Sequence, residues 1–376
     1  MIEIREATTK AEQRAFLNFP LDLYRDNPYF VPPLYMDEKK IFAKDYVYND
    51  TCEAVYYNAY RDGKIVGRVS GILQKVSNDI RSEKRVRFTR FDAINDQEVA
   101  NALFDQLQQW ALSRGMDTLV GPLGFSDLER EGLLVEGFDQ LSTFEEQYNA
   151  EYYQHLIENW GFTKEVDWLE SRLKAPKQQD ETLEKMVAYV MRRYGLHFGT
   201  AKNVRDFIDR YADQMFELLD EGYQHLYGTV PFTEGMKKMT IANFLLIVDL
   251  RFVAVILDKD ENVVCLGISF PSIARAVQKS RGHITPAAAV RLLRAIKKPS
   301  ILELGLVAVK PEYANRGISA AIIVELMRML REDGIEYAET NLNLEDNAAI
   351  RNQWKRFDSV EHKRRRSYVR RIAPEA

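Results

Sequence analysis

The stretch Leu304-Gly305-Leu306-Val307-Ala308-Val309-Lys310-Pro311-Glu312-Tyr313-Ala314-Asn315-Arg316-Gly317-Ile318-Ser319-Ala320 decides how the chain is read. An apolar, β-rich run stops at a proline, passes through a short polar loop with one glycine, and opens into an amphipathic helix expected from Ile318 to Leu330. In such a loop successive amides converge with the unpaired donors of the helix's first turn, and the helix dipole favours negative charge there. The stretch reads as an anion cradle. The plainer alternative is an ordinary strand-to-helix connection, because a lone glycine loop is weak evidence.

The residues beyond the helix narrow the choice. The helix closes at Gly334, a C-cap signal, and a strand is expected from Tyr337 to Leu342. Next comes the segment Leu344 to Phe357, with Asn347 and Trp354, and a last strand from about Val360 to Ile372. The order of strand, Val-x-Pro-Glu-Tyr, x-x-Arg-Gly-Ile, helix, strand, Asn-opened helix and strand resembles the acyl-CoA pyrophosphate loop and its surroundings in the GNAT superfamily of N-acetyltransferases. Gly317 matches the central glycine of that family's loop. Ala314 stands where Arg or Gln is usual, and Ser319 where Gly or Ala is usual.

The resemblance implies that Val307, Ala308, Val309, Asn315, Arg316, Gly317, Ile318, Ser319 and Asn347 bind acetyl-CoA or another acyl-CoA as cosubstrate. It implies that the strand amides at Val307 and Val309 hold the pantetheine arm and polarise the thioester carbonyl. The family often places a Tyr seven positions after the Asn, as proton donor to the departing thiolate. Here that position is Trp354, whose indole N–H is a poor proton donor.

Length and composition bound the rest. A chain of 376 residues with 46% hydrophobic content is about two domains' worth of globular protein. No apolar run approaches the roughly 20 residues of a membrane span, and the start, Met1 to Glu6, alternates like a strand and lacks the regions of a signal peptide. Cys52 and Cys265 make no disulfide or zinc framework, so a reducing cytoplasm is expected. A net charge of −4 argues against non-specific nucleic-acid binding. The five histidines, His155, His197, His225, His283 and His362, lack ligand spacing, and no metal is expected.

The chain contains its own plan twice. In the first half, Glu53 to Arg61 and Ile65 to Leu73 flank Asp62-Gly63, a hairpin signal; then come strand Arg85 to Ala93, helix Gln97 to Ser113, strand Thr118 to Val120, a helix within Tyr148 to Phe162 and strand Lys164 to Leu173. In the second half, helices around Leu183 to Tyr194, Val204 to Tyr223 and Thr233 to Phe244 precede a hairpin, Phe252 to Leu257 with Val263 to Phe270, and then strand Ile301 to Val309, the cradle and its helix. The two align element by element, with Asn149 opposite Asn347. The expected fold is therefore α/β: tandem duplicated GNAT-like domains with mixed, mostly antiparallel sheets, 1–175 without a CoA loop and 176–376 with it, joined by a polar linker at Ala175 to Glu181. The first copy has Asn95-Asp96 where the cradle would be, and an acidic side chain there opposes phosphate.

One segment has no counterpart in the second half, and two other stretches carry readings of their own. Gly121 to Asp139, rich in glycine, resembles the Gly-Pro-x-x-Phe-Ser … Gly-Leu-Leu-Val-x-Gly-Phe signature of a bacterial tandem-GNAT family that also shares Tyr24-Arg25-Asp26-Asn27-Pro28 and Val31-Pro32-Pro33. It reads either as filler or as the wall of an acceptor site between the halves, with Glu131 as its carboxylate. The proline- and aromatic-rich Tyr24 to Tyr35 reads as a packed lid or a second wall. The basic run Lys363 to Arg371 reads as a solvated edge strand, or as a contact to the CoA 3′-phosphate or an acidic partner.

For chemistry, Glu303 and Glu339 are candidate bases on neighbouring strands, the alternative being exposed strand carboxylates; Cys265 reads as a buried, inert thiol. The function expected is acyl-CoA-dependent, most simply acetyl, N-acylation of a small-molecule or peptide amine. The alternative is a non-catalytic acyl-CoA-binding or scaffolding protein, which Trp354 and Ala314 favour. Transfer from aminoacyl-tRNA is a minor third possibility, and the sequence leaves the oligomeric state open.

Overall fold

The computed structural model describes Met1–Ile372. In chain order the elements are β1 (Glu3–Glu6), α1 (Lys10–Leu23), α2 (Tyr35–Glu38), β2 (Cys52–Arg61), β3 (Lys64–Gln74), α3 (Lys75–Arg81), β4 (Arg85–Ala93), α4 (Gln97–Ser113), β5 (Thr118–Gly121), β6 (Leu133–Glu136), α5 (Tyr153–Asn159) and β7 (Thr163–Lys174). They continue with α6 (Glu181–Tyr194), β8 (His197–Phe198), α7 (Val204–Tyr223), α8 (Glu234–Ile247), β9 (Val253–Leu257), β10 (Val263–Pro271), α9 (Ala274–Lys279) and α10 (Pro286–Lys297). The last are β11 (Ile301–Val309), α11 (Ser319–Glu332), β12 (Tyr337–Glu339), β13 (Asn343–Leu344), α12 (Ala348–Trp354) and β14 (Asp358–Arg371).

Local chemistry accounts for the clearest boundaries. Thr9 and Glu12 close a capping box on α1. The β2–β3 hairpin turns on Asp62 and Gly63, both left-handed at φ 51° and 74°, the geometry for which Asp-Gly is favoured. Helix α4 buries Val99, Ala100, Leu103, Phe104, Leu107 and Ala111, one helical face, in a core with Phe88 and Phe91 of β4.

These elements form two compact units, and neither is one half of the sequence. The first comprises Met1–Leu169, Ala274–Ala289 and the residues from His362 on; the second comprises Glu170–Ile273 and Val290–Glu361. In the first, β1, β2, β3 and β4 pair antiparallel in order, β4 pairs β5 parallel, and β5 pairs β14 antiparallel. In the second, β8, β9, β10 and β11 pair antiparallel, β11 pairs β12 parallel, and β12 pairs the end of β7 antiparallel.

The pairing plan is the same twice, but the closing strand is exchanged. The early strand β7 ends in the later unit, and the late strand β14 completes the earlier one. A cut at 175/176 would part both strands from their partners. Helix α9 belongs to the first unit as well: the Gln278 amide donates to Pro28 O at 2.9 Å and Phe30 O at 3.0 Å.

Several expectations need correcting. The helix within Tyr148 to Phe162 shrinks to α5, and Asn149 opens no helix. Instead its buried amide brackets Leu134 of β6, accepting its N–H at 2.7 Å and donating to its carbonyl at 3.0 Å. Helices α9 and α10 lie between the expected hairpin and β11, where no element is expected from the sequence. The basic run is not a solvated edge: paired to β5 and β6, it has Lys363 and Arg365 buried. Arg366 forks onto the buried Asp167 at 2.7 and 3.0 Å, and Arg364 reaches Asp167 and Glu136, each at 3.1 Å. Opposite charge accounts for that run, from the buried Asp167 on one side and the exposed Glu136 on the other. Among the described residues no helix is long and apolar enough to cross a membrane.

Candidate active site

In the second unit β11 and β12 stay together for three residue pairs only, Ile301–Glu303 with Tyr337–Glu339. Then β12 ends while β11 runs on to Val309 beside β10, with a register shift opposite Ile268. Past that bulge the Lys310 N–H donates to Val264 O at 2.9 Å. Strand alternation then turns the main-chain groups of Val307 and Val309 the other way, toward the side that β12 has left. One of these is engaged by Tyr223 at the end of α7: its phenol accepts the Val307 N–H at 3.3 Å and donates to the Val307 carbonyl at 3.0 Å.

Beyond Val309 the chain makes a short 3₁₀ turn, Pro311–Tyr313, and bends through Asn315 and Gly317, left-handed at φ 59° and 80°. The Ala314 N–H is used by Pro311 O at 3.0 Å, so the residue at the family's Arg/Gln position closes the turn. The amides of Asn315, Gly317, Ile318 and Ser319 have no acceptor among the described residues, and no side chain caps α11. Those donors lie at the N-terminal end of α11, where the helix dipole is positive. A Cβ at Gly317 would meet only Val190, at 3.7 Å, so glycine is needed there for its backbone angle and not for space.

The other predicted cofactor residues have definite places. Ile318 is buried and pegs the start of α11 in the core; Ala308 is buried opposite Leu266. The Arg316 guanidinium lies 5.4 and 5.9 Å from the ring centres of Tyr194 and Tyr313, held beside the loop by cation–π contact. Ser319 Oγ accepts from Gln353 at 3.4 Å. Asn347 accepts the Ile350 N–H at 3.2 Å and so caps α12. Trp354 is buried, with its indole N–H given to Asn343 Oδ1 at 2.7 Å.

Glu303 and Glu339 are buried, not exposed. They occupy adjacent register positions on β11 and β12, and Arg172 of β7 is the next residue in that row. Ser272 donates to Glu303 Oε1 at 2.5 Å. Two carboxyls on neighbouring strands, with a hydroxyl on one and a guanidinium in register with the other, can accept and pass a proton. Burial pushes the Cys265 thiol up to about 12, which leaves it un-ionised and inert.

Glu131, the third candidate carboxylate, lies in the first unit. It is buried, its Oε1 has no hydrogen-bond partner among the described residues, and burial followed by the nearby Asp127 charge pushes its pKa well above the ordinary 4.5. Burial thus favours its neutral, protonated form over the carboxylate.

No family model matches the chain. It is 26% identical to Protein YghO of Escherichia coli (strain K12), over 98% of this chain and 95% of that protein. It is 24% identical to a protein named bacterial ceramide synthase of Caulobacter vibrioides (strain NA1000 / CB15N), over 81% of this chain and 79% of that one. Among solved structures, a tandem GNAT protein from the clavulanic acid biosynthesis pathway superposes over 100% of both chains with a TM-score of 0.55 at 11% identity. The chain has the tandem GNAT fold.

The same fold has its parallel strands parting in the first unit too, where β4 and β5 pair only across Arg85–Arg87 and Thr118–Val120. There the freed edge of β4 is covered by its own chain. Phe88 O accepts the Leu123 N–H at 2.9 Å, Tyr153 accepts the Ala93 N–H at 3.0 Å, and Tyr152 donates to Ala93 O at 2.7 Å. Asp96 caps α4 through the Glu98 N–H at 2.9 Å and is paired with Arg61 at 2.6 Å. Sequence reasoning missed Tyr223, Ser272 and Arg172. Tyr223 meets a strand 84 positions away, and no local pattern marks such a partner.

Proposed function

We propose that the chain is an acyl-CoA-dependent N-acyltransferase whose second unit holds the thioester. The observation that carries this reading is the edge of β11 at Val307 and Val309, freed of β12 and continuous with an uncapped helix start. Pantetheine is an amide-bearing arm that extends such an edge as a strand would, and its pyrophosphate suits the amides of Asn315 to Ser319. The Val307 N–H is then the donor for the carbonyl oxygen as charge develops on it. Glu303 and Glu339 are the groups proposed to receive the amine's proton, Glu303 through Ser272 or water.

A ceramide is the amide of a long-chain amino alcohol, so the relative's name supports N-acylation of a lipid amine as a reading alongside the simpler acetyl transfer. Wild-type protein titrated with CoA, acetyl-CoA and palmitoyl-CoA in a calorimeter, then assayed for CoA release on adding sphinganine or a short amine, tests both. Saturable binding and amine-dependent release are expected. Absence of binding to all three ends the proposal. A second reading, binding without turnover, is favoured by one observation: the Trp354 N–H is committed to Asn343, so the position that often donates a proton to the thiolate cannot do so.

A further inference from the structure

The proton donor missing at Trp354 has a candidate elsewhere in the same unit. We propose that Tyr223 is a catalytic residue, the acid that protonates the departing CoA sulfur; this rests on the acyltransfer reading above. Its phenol oxygen occupies the place a thioester oxygen must take, 3.3 Å from the Val307 nitrogen, and its proton points to the Val307 carbonyl at 3.0 Å. When a thioester carbonyl takes the N–H, the phenol withdraws by about one hydrogen-bond length, roughly 3 Å. It is then next to both atoms bonded to the reacting carbon, the oxygen and the sulfur.

Two further observations favour an acid over a simple stopper. Tyr223 comes from the last turn of α7, whose earlier turns anchor it: Phe207, Tyr211, Met215, Leu218 and Leu219 are buried in one core with Ala308 of β11. A small movement at the helix end therefore suffices, and the phenol stays at the strand. In addition, the hydroxyl already has its proton engaged at this strand edge, donating to the Val307 carbonyl, so after withdrawal that proton is available to sulfur.

The step balances in atoms and charge. The amine nitrogen attacks the thioester carbon, a C–N bond forms, and the oxygen's charge rests on the Val307 N–H. Collapse breaks the C–S bond, and the thiolate takes the phenolic proton of Tyr223. The proton lost from nitrogen passes to Glu303 or Glu339 and returns from there to the tyrosinate through solvent. Amine and thioester have become amide and thiol, with no other reactant consumed.

Tyr223→Phe, compared with wild type, is the test, with palmitoyl-CoA and sphinganine as probes and an S-(4-nitrophenyl) thioester as a second acyl donor. A nitrothiophenolate leaves without a proton. The expected result is palmitoyl-CoA affinity within about threefold of wild type or tighter, CoA release slower by on the order of a hundredfold or more, and near wild-type turnover of the nitrophenyl thioester. Undiminished CoA release by the variant would make Tyr223 a stopper only. An equal loss on both thioesters, or lost affinity, would make it structural. Wild type that binds palmitoyl-CoA yet releases no CoA to sphinganine overturns the acid role while leaving the cofactor site standing; wild type that binds nothing overturns the reading beneath it.

Discussion

The starts of α4 and α11 occupy equivalent places in the two units, each just past a strand that has lost its parallel neighbour, yet they are finished in opposite ways. At α4 the helix donors meet Asp96, whose charge is balanced by Arg61, and the freed strand edge meets Leu123, Tyr152 and Tyr153. At α11 no side chain among the described residues caps the helix, and Tyr223 touches the edge at Val307. A duplicated fold supplies the parting of strands for free in both copies. Whether that parting is a site depends on a few residues that fill it or leave it open.

The most severe way to break the comparison is to end the chain at Glu361. The first unit then loses β14, including the fully buried Arg365 and Tyr368, and with it the partner of β5 and β6. Loss of the cooperative melting transition of that unit is expected in scanning calorimetry, because a core strand is removed and not a tail. A first unit that melts as before would mean that the exchanged strand is dispensable.

Next in size is Gly317→Asp against Asp96→Ala. The first puts a β-carbon at φ 80°, costing about 1–2 kcal/mol, and sets a carboxylate where phosphate is proposed to sit. Like charges about 4 Å apart near a surface repel by about 4 kcal/mol, so acyl-CoA affinity should fall on the order of a thousandfold. Asp96→Ala should leave affinity alone and cost about 1 kcal/mol of stability as a lost cap. Equal effects of the two on calorimetric binding would erase the distinction between the units.

The smallest effect sharpens the account of the closed unit. The Glu131 carboxyl is held above its ordinary 4.5 by burial, so it favours folding fully below that value. The advantage drains away as pH rises toward the folded-state value. Glu131→Gln keeps the shape and removes the titration. Its melting temperature relative to wild type should rise with pH between 5 and 9, by roughly 2–4 °C for each kcal/mol relieved. A difference that stays flat across that range would mean that Glu131 is charged and paired when folded.

The elements were legible wherever local chemistry marks them. α4, α7 and β11 fall on their expected residues because each is a strongly periodic run bounded by Gly, Pro or a cap, and the Asp62-Gly63 hairpin is set by two left-handed residues. The cradle was legible for the same reason: Pro311 and Gly317 punctuate it. What stayed hidden depends on partners far along the chain. The polarity of Lys363 to Arg371 looks like a surface until Asp167 and Glu136 are found opposite it. Nothing in the α7 sequence tells Tyr223 from any tyrosine at a helix end. The burial of Glu303 and Glu339 comes from their row across three strands, and α9 and α10 lack the long apolar period that announces a helix.

The exchanged strand also imposes an order of events on synthesis. The first unit lacks His362 onward until roughly 190 residues after Leu169 have been made, about 10–40 s at ribosomal speed. Through that interval β5 has a bare edge, of the kind that recruits foreign strands. A ribosome that stalls within the second unit thus leaves behind an incomplete, adhesive fragment where a chain of independent modules would have released a finished one.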